Sequence, residues 1–250
     1  MCGRMTQQTS PEEVARIFDA ESRVDAEAGQ VGPRYNVAPT DPLTVVLQRG
    51  DEGRVVEQHR WGLIPSFAAS AKSGAKMINA RAETVMTSPA YRASFRSRRC
   101  IVPSDGFYEW RRTGGTKQPF FLHPPEGAML AMAGLWAVWK DPETGLWVPS
   151  AAVITTAANR LVSAIHDRMP VLLPREAWED WLDTQVSDAE YLRSLLEPPP
   201  DDVLEMHPVS TRVNSVRNAG SDLIRPLPES AVAEADVEAP TLPLPFDRDP

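Results

Sequence analysis

The spacing of apolar residues along the chain changes from a helical period to that of strands. The residues from Ser10 predict a helix start, because a serine cap, a proline in the first turn and a glutamate three residues after the cap form a capping box. Val14, Ile17 and Phe18 follow at helical spacing and mark one buried face. The first element of the fold is therefore expected to be an amphipathic helix.

Short strand-like segments, bounded by turn residues, dominate the rest of the chain. The predicted strands are 43–47, 54–61, 100–102, 120–122, 129–139 and 148–156. Helices are predicted at 157–165 and 174–182, with a third capped by Ser187. Many short strands with helices at both ends predict an α+β domain with a largely antiparallel sheet.

The last part of the sequence has a different composition. Residues 226–250 contain six prolines and six acidic residues against one arginine, which is typical of disorder. We therefore predict one folded domain over 2–227 and a disordered acidic, proline-rich tail over 228–250. No apolar run approaches the roughly 18 residues of a membrane span. The polar start disfavours a secretory signal, so we expect a cytoplasmic protein without a membrane partner.

The net charge of −8 argues against nucleic-acid binding only until its distribution is considered. The segments 187–205 and 226–250 each carry a net charge of −5, which leaves the remainder at +2. Within that remainder, residues 81–112 contain seven arginines against three acids. A local basic surface for DNA is therefore possible, and a solvated arginine face is the alternative.

Cys2 is the first candidate for chemistry. Methionine is normally removed before a small second residue, which would give Cys2 both a free amine and a thiol. Their reference pKa values, about 8 and 8.5, leave reactive populations at neutral pH, and Arg4 is expected to lower both. Such an aminothiol converts an aldehyde into an imine and then a thiazolidine ring, which an internal cysteine cannot do. The alternative is a small buried hydrophobe, the role expected of Cys100.

Polar residues inside apolar segments are the second set of candidates. Glu109 lies between Tyr108 and Trp110, where partial desolvation would raise its pKa and favour proton transfer. An arginine-paired structural carboxylate is the alternative. His166 precedes an apolar run and fits either a catalytic or a capping role.

Two aromatic side chains offer a further DNA contact. Trp61 and Phe67 suit stacking on unpaired bases, or else core packing.

These segments together resemble the SOS-response-associated peptidase family, the SRAP domain. The resemblance covers roughly residues 2–227. It is carried by Met1-Cys2-Gly3-Arg4, Arg34 to Pro39, Arg60 to Pro65, Asn79 to Thr84, Arg99 to Trp110, Thr155 to Asn159 and Ile165 to Pro170, and is extended by Val209-Ser210 and Val213-Asn214. It implies a barrel-like, bifurcated sheet flanked by helices. Phe67 stands where the family often has tryptophan.

The resemblance also implies an activity. Members crosslink their N-terminal cysteine to an abasic site in single-stranded DNA, so Cys2 is the expected nucleophile, assisted by Asn79, Glu109 and His166. The implied partner is single-stranded DNA containing abasic sites, bound by a monomer without cofactor or metal and associated with the nucleoid when bound. The expected DNA-binding residues are Arg4, Pro39, Trp61, Phe67, Arg81, Trp110 and Arg168.

Two other functions stay open at this point. The family name suggests removal of Met1 by the protein itself, or a cysteine hydrolase that uses Cys2 and His166. A plain single-strand-binding module, in which Cys2 is dispensable, is the non-enzymatic alternative. Strand cleavage by β-elimination is expected as a side activity of the crosslinker.

Overall fold

The computed structural model describes residues 2–25, 32–113 and 116–228. The turn at Gly114-Gly115 and the predicted tail from residue 229 onward lie outside the described residues. Within the described part of the chain, no helix is long and apolar enough to cross a membrane.

Thirteen strands and five α-helices make up the described fold. The strands are β1 (Met5–Gln7), β2 (Ala20–Ser22), β3 (Arg34–Val37), β4 (Pro42–Gln48), β5 (Arg54–Trp61), β6 (Asn79–Arg81), β7 (Arg99–Ser104), β8 (Gly106–Thr113), β9 (Thr116–His123), β10 (Leu130–Lys140), β11 (Trp147–Ala157), β12 (Arg168–Pro170) and β13 (Glu205–Pro208). The α-helices are α1 (Pro11–Phe18), α2 (Arg92–Ser97), α3 (Arg160–Ser163), α4 (Trp178–Leu182) and α5 (Ala189–Ser194).

Five of these strands close into a barrel. The antiparallel order β11-β10-β7-β4-β5 is completed by parallel pairing of β5 with β11, where Arg60 is paired with Ser150. Closure leaves no free edge within the ring. The α+β class and the barrel-like, largely antiparallel sheet are thus confirmed, with three parallel pairings, of β5 with β11, β6 with β11 and β2 with β5.

A second sheet of five strands lies against the barrel, in the order β13-β9-β8-β1-β3. Alternate residues of the barrel strands belong to two different apolar clusters. One cluster includes Val46 and Ile101 and packs against Phe18 and Trp181 of the helices. The other includes Leu43 and packs against residues of the second sheet.

The predicted strands are confirmed, and the observed ones extend some of them by one to four residues. The cap of α1 is also confirmed, because the Ser10 side chain accepts the backbone N–H of Glu13 at 3.2 Å. The cap predicted at Ser187 is wrong, because Asp188 instead accepts the N–H groups at the start of α5. The helix predicted over 157–165 shrinks to α3, which Asn159 caps.

The arginine-rich stretch 81–112 does not form one basic surface. Arg81 lies on β6, whereas Arg98 stacks over Trp136 at another part of the barrel. Arg99 is buried, and its guanidinium donates only to backbone carbonyls, including that of Trp181 at 2.7 Å. The local excess of charge is therefore divided among separate places in the fold.

Candidate active site

The segment containing Cys2 runs beside Glu109 because of the register between β1 and β8. Met5 is paired with Phe107, and the backbone N–H of Tyr108 donates to the Arg4 carbonyl at 2.9 Å. Continuing this antiparallel register brings the residues before β1 alongside Glu109 and Trp110. Cys2 is fully buried there.

Asn79 fixes the backbone of Cys2. β6 runs parallel to β11, with Asn79 paired with Val153, and the Asn79 Nδ2 donates to the Cys2 carbonyl at 2.7 Å. The Tyr91 hydroxyl in turn donates to the Asn79 carbonyl at 3.0 Å. The buried Asn79 Oδ1 has no hydrogen-bond donor among the described residues. Such an acceptor is expected to find a partner in a bound ligand, since unsatisfied buried polar atoms are costly.

Burial raises the pKa of two groups in this site. The Glu109 side chain is nearly inaccessible, and burial raises its pKa although His166 nearby opposes the shift. The expected rise for this carboxyl is confirmed. Burial also raises the pKa of the Cys2 thiol, and the negative charge of Glu109 adds to the rise. Arg4 lowers the thiol pKa as expected, through a hydrogen bond from its backbone, but desolvation outweighs this contribution and the thiol pKa rises overall.

His166 lies just after α3 and is partly exposed. Its Nδ1 is 3.0 Å from the backbone nitrogen of Arg168 and 3.0 Å from the Asp167 Oδ1. The backbone N–H of Arg168 donates to Nδ1 when Nε2 carries the proton of the neutral ring, and Nε2 can then donate. The contact with the Asp167 carboxylate instead requires a proton on Nδ1.

Two arginines of this region, Arg4 and Arg168, already have partners within the fold. Arg4 is buried and donates at 2.6 Å to Asn36 Oδ1 and to the Val213 carbonyl. The Arg168 guanidinium forms an ion pair with the Glu83 carboxylate and donates to the Thr155 carbonyl at 2.6 Å. Both guanidiniums are thereby held in place, and the charge of Arg168 is largely compensated.

Glu109 and His166 both line a cleft of about 540 Å³. The cleft is lined by Glu109, Trp110, Arg112, Lys117, His166 and Asn214. Asn214 closes one side by accepting the indole N–H of Trp110 at 2.7 Å. The cleft thus joins a buried carboxyl with a raised pKa, an imidazole and two cations.

A model of the SOS response associated peptidase (SRAP) family matches residues 1–216 of the sequence. This chain belongs to the SRAP family. The chain is 40% identical over 225 residues to the abasic site processing protein YoqW of Bacillus subtilis, covering 90% of this chain and 99% of that protein. It is 32% identical to the abasic site processing protein YedK of Escherichia coli, covering 91% of this chain and 100% of that protein.

A crystal structure of a Bacteroides thetaiotaomicron protein has the same fold. The TM-score is 0.81 at 26% identity, over 90% of this chain and 100% of that one. The arrangement of barrel, second sheet and helices described above is therefore the SRAP fold.

The remaining residues that were predicted to contact DNA differ in their exposure to solvent. Arg81 is exposed on β6, next to Asn79, and Pro39 is half-buried. Phe67 is 71% exposed, so its ring is accessible for stacking. Trp61 is fully buried and donates to the Ile78 carbonyl at 3.1 Å. Its predicted stacking on DNA is wrong for this structure, because the ring belongs to the core, the alternative role that the sequence left open.

Sequence reasoning missed several residues of this site. Tyr91 has no motif of its own, and its contact with Asn79 depends on the turn before α2. Arg112 and Lys117 are different, because they lie two residues on either side of the Gly114-Gly115 pair and are partners in the pairing of β8 with β9. Two glycines between strand-like segments predict a hairpin, so the proximity of Arg112 and Lys117 could have been inferred from the sequence.

Proposed function

We propose that this SRAP protein processes abasic sites by forming a covalent thiazolidine between Cys2 and the aldehyde of the damaged strand. The observation that carries the proposal is the fixed placement of Cys2. Its carbonyl is held by Asn79, and its thiol lies within the field of the Glu109 carboxyl. The names of the relatives, which describe abasic site processing, support the same substrate.

Removal of Met1 is the first step of the proposal, because the reaction needs a free amine at Cys2. The abasic sugar is mainly a closed hemiacetal, so ring opening must precede attack. Glu109, with its raised pKa, is suited to hold and transfer the proton during ring opening and imine formation. The amine adds to the aldehyde carbon, water leaves, and an imine connects protein and DNA.

Ring closure completes the reaction. The sulfur of Cys2 attacks the imine carbon, and the thiol proton passes to the imine nitrogen, which becomes the ring amine. Because burial keeps the thiol protonated, this proton is available at the moment of attack. The sum of the steps is aldehyde plus aminothiol giving thiazolidine and one water.

His166 and Asn79 have supporting roles in this proposal. His166 can donate from Nε2 to the sugar hydroxyl that is released when the ring opens. The Asn79 Oδ1 is suited to accept a hydrogen bond from the Cys2 amine or from the sugar. If the thiol is slow, the imine acidifies the adjacent sugar hydrogens, and β-elimination cleaves the strand as a side reaction.

The test uses a labelled abasic oligonucleotide on denaturing gels, with and without borohydride. Wild type should give an adduct that persists without borohydride. Cys2→Ala keeps the amine and should give only an imine that borohydride traps, together with residual strand cleavage. Cys100→Ala is the matched control and should behave like wild type, because its thiol has no adjacent amine.

Other outcomes distinguish the alternative functions. A persistent adduct from Cys2→Ala would refute the thiazolidine. Peptide cleavage without any adduct would favour the cysteine hydrolase. Salt-sensitive binding of intact strands, again without adduct, would favour a simple single-strand-binding module.

A further inference from the structure

Arg112 and Lys117 face each other at the rim of the cleft. They are directly paired across the β8–β9 hairpin, and both line the cleft that contains Glu109 and His166. Like charges in directly opposed strand positions repel each other and destabilise a sheet. Within the described ranges neither side chain forms an ion pair with a carboxylate that would relieve this repulsion.

Two other cations near the cleft are less available to an incoming anion. Arg4 is buried beneath Trp110, and Arg168 is engaged by the Glu83 carboxylate. Arg112 and Lys117 are exposed. An anion between two opposed cations would turn their repulsion into attraction, and a phosphate suits an arginine and a lysine side by side.

We infer that Arg112 and Lys117 form a phosphate clamp that holds the DNA backbone next to the abasic sugar. The inference rests on the proposed function for the identity of the ligand as DNA. In the clamp, phosphate oxygens accept hydrogen bonds from the guanidinium and the ammonium group at the cleft rim. The clamp positions the strand, and it reads no base, since phosphate contacts carry no direct sequence information.

The test measures binding separately from crosslinking. A labelled intact single-stranded oligonucleotide, without an abasic site, is titrated by fluorescence anisotropy over a series of salt concentrations. Each phosphate contact contributes about 0.7 to the slope of log affinity against log salt for single strands. One phosphate held between the two cations counts as one contact, so the double variant Arg112→Gln, Lys117→Gln should lose about 0.7 of the slope. Between 1 M and 0.1 M salt, the affinity of the variant should therefore rise about fivefold less than that of wild type.

The matched control is the double variant Arg96→Gln, Arg193→Gln, which removes two charges from exposed arginines on helices α2 and α5. The control variant should keep the wild-type slope, because the slope depends on direct contacts with phosphates and not on the net charge of the protein. Thermal unfolding of both double variants serves as the control that they are folded.

An unchanged salt slope in the clamp variant would overturn the inference, as would an equal loss of slope in the control. Neither result depends on covalent chemistry. If wild type instead forms no adduct with abasic DNA while the clamp variant loses the slope, the covalent proposal fails and the clamp stands.

Discussion

The substitution Glu109→Gln separates acid–base chemistry from binding and from packing. The side chain is only 2% exposed, so water cannot easily take over the proton transfer when the carboxyl is removed. General acid–base catalysis contributes about 10²–10⁴-fold. Because Glu109 is buried, we expect the rate of adduct formation to fall by an amount in the upper half of this range, about 10³–10⁴-fold. This corresponds to about 4–5.5 kcal/mol in the activation barrier. DNA affinity should change little, because glutamine keeps the size of the side chain.

The same substitution should stabilise the folded protein at neutral pH. A carboxyl whose pKa is raised on folding favours the folded state below its ordinary pKa, and this contribution is lost as the pH rises through the raised value. Above that value a buried charge is a cost that glutamine does not have. Thermal unfolding should therefore show a higher midpoint for the variant near pH 7.5, and a smaller gain near pH 4, with about 2–4 °C for each kcal/mol.

The assays are single-turnover adduct formation at saturating abasic DNA, anisotropy with intact DNA, and thermal unfolding at the two pH values. Glu179→Gln makes the same chemical change at an exposed position of α4 and should leave all three unchanged. Unimpaired crosslinking by Glu109→Gln would remove Glu109 from the chemistry. A lower unfolding midpoint near pH 7.5 would show that its role is structural.

Three further predictions test other parts of the structure. Arg81→Ala should weaken single-stranded DNA binding and reduce its salt dependence, measured by anisotropy, whereas unchanged binding would exclude this contact. Trp61→Ala should destabilise the fold by about 3–5 kcal/mol in denaturant unfolding, because a fully buried ring is lost; a change below about 1 kcal/mol would contradict its place in the core. Burial raises the pKa of Glu57, but hydrogen bonds from His59 and Arg49 outweigh it and lower the pKa to about 2. This stabilising contribution is present above the ordinary pKa of 4.5 and is lost as the pH falls towards 2. Glu57→Gln should therefore make the unfolding free energy depend less on pH in this acidic range. An unchanged dependence on pH would refute the stabilising role of Glu57.

The strands were predictable where burial imposes a local pattern. The segment 54–61, bounded by a turn on its N-terminal side, has the same bounds as β5, and the long apolar run at 129–139 matches β10 within one residue at each end. Strands such as β6 were not predictable in this way. It is three residues long, and it exists because Asn79 pairs with Val153 of β11, far along the chain. Such pairing depends on barrel closure and not on local propensity.

The candidate site was only partly predictable for the same reason. The aromatic neighbours of Glu109 indicated its desolvation, and the structure has a buried carboxyl with a raised pKa. The burial of the Cys2 thiol was not visible in the sequence, because it results from the packing of β1 against β8 and from the hydrogen bond of Asn79. The role of Trp61 could not be predicted from residue type alone, since an aromatic ring suits both a hydrophobic core and a surface that stacks on bases.

Intact mass spectrometry of the protein after incubation with abasic single-stranded DNA tests directly whether Cys2 forms the thiazolidine. The expected species has the mass of the protein without Met1, plus the oligonucleotide, minus one water. Borohydride should leave this mass unchanged, because a thiazolidine has no imine to reduce. No adduct, an adduct that retains Met1, or an adduct that gains two hydrogens with borohydride would contradict a thiazolidine at Cys2.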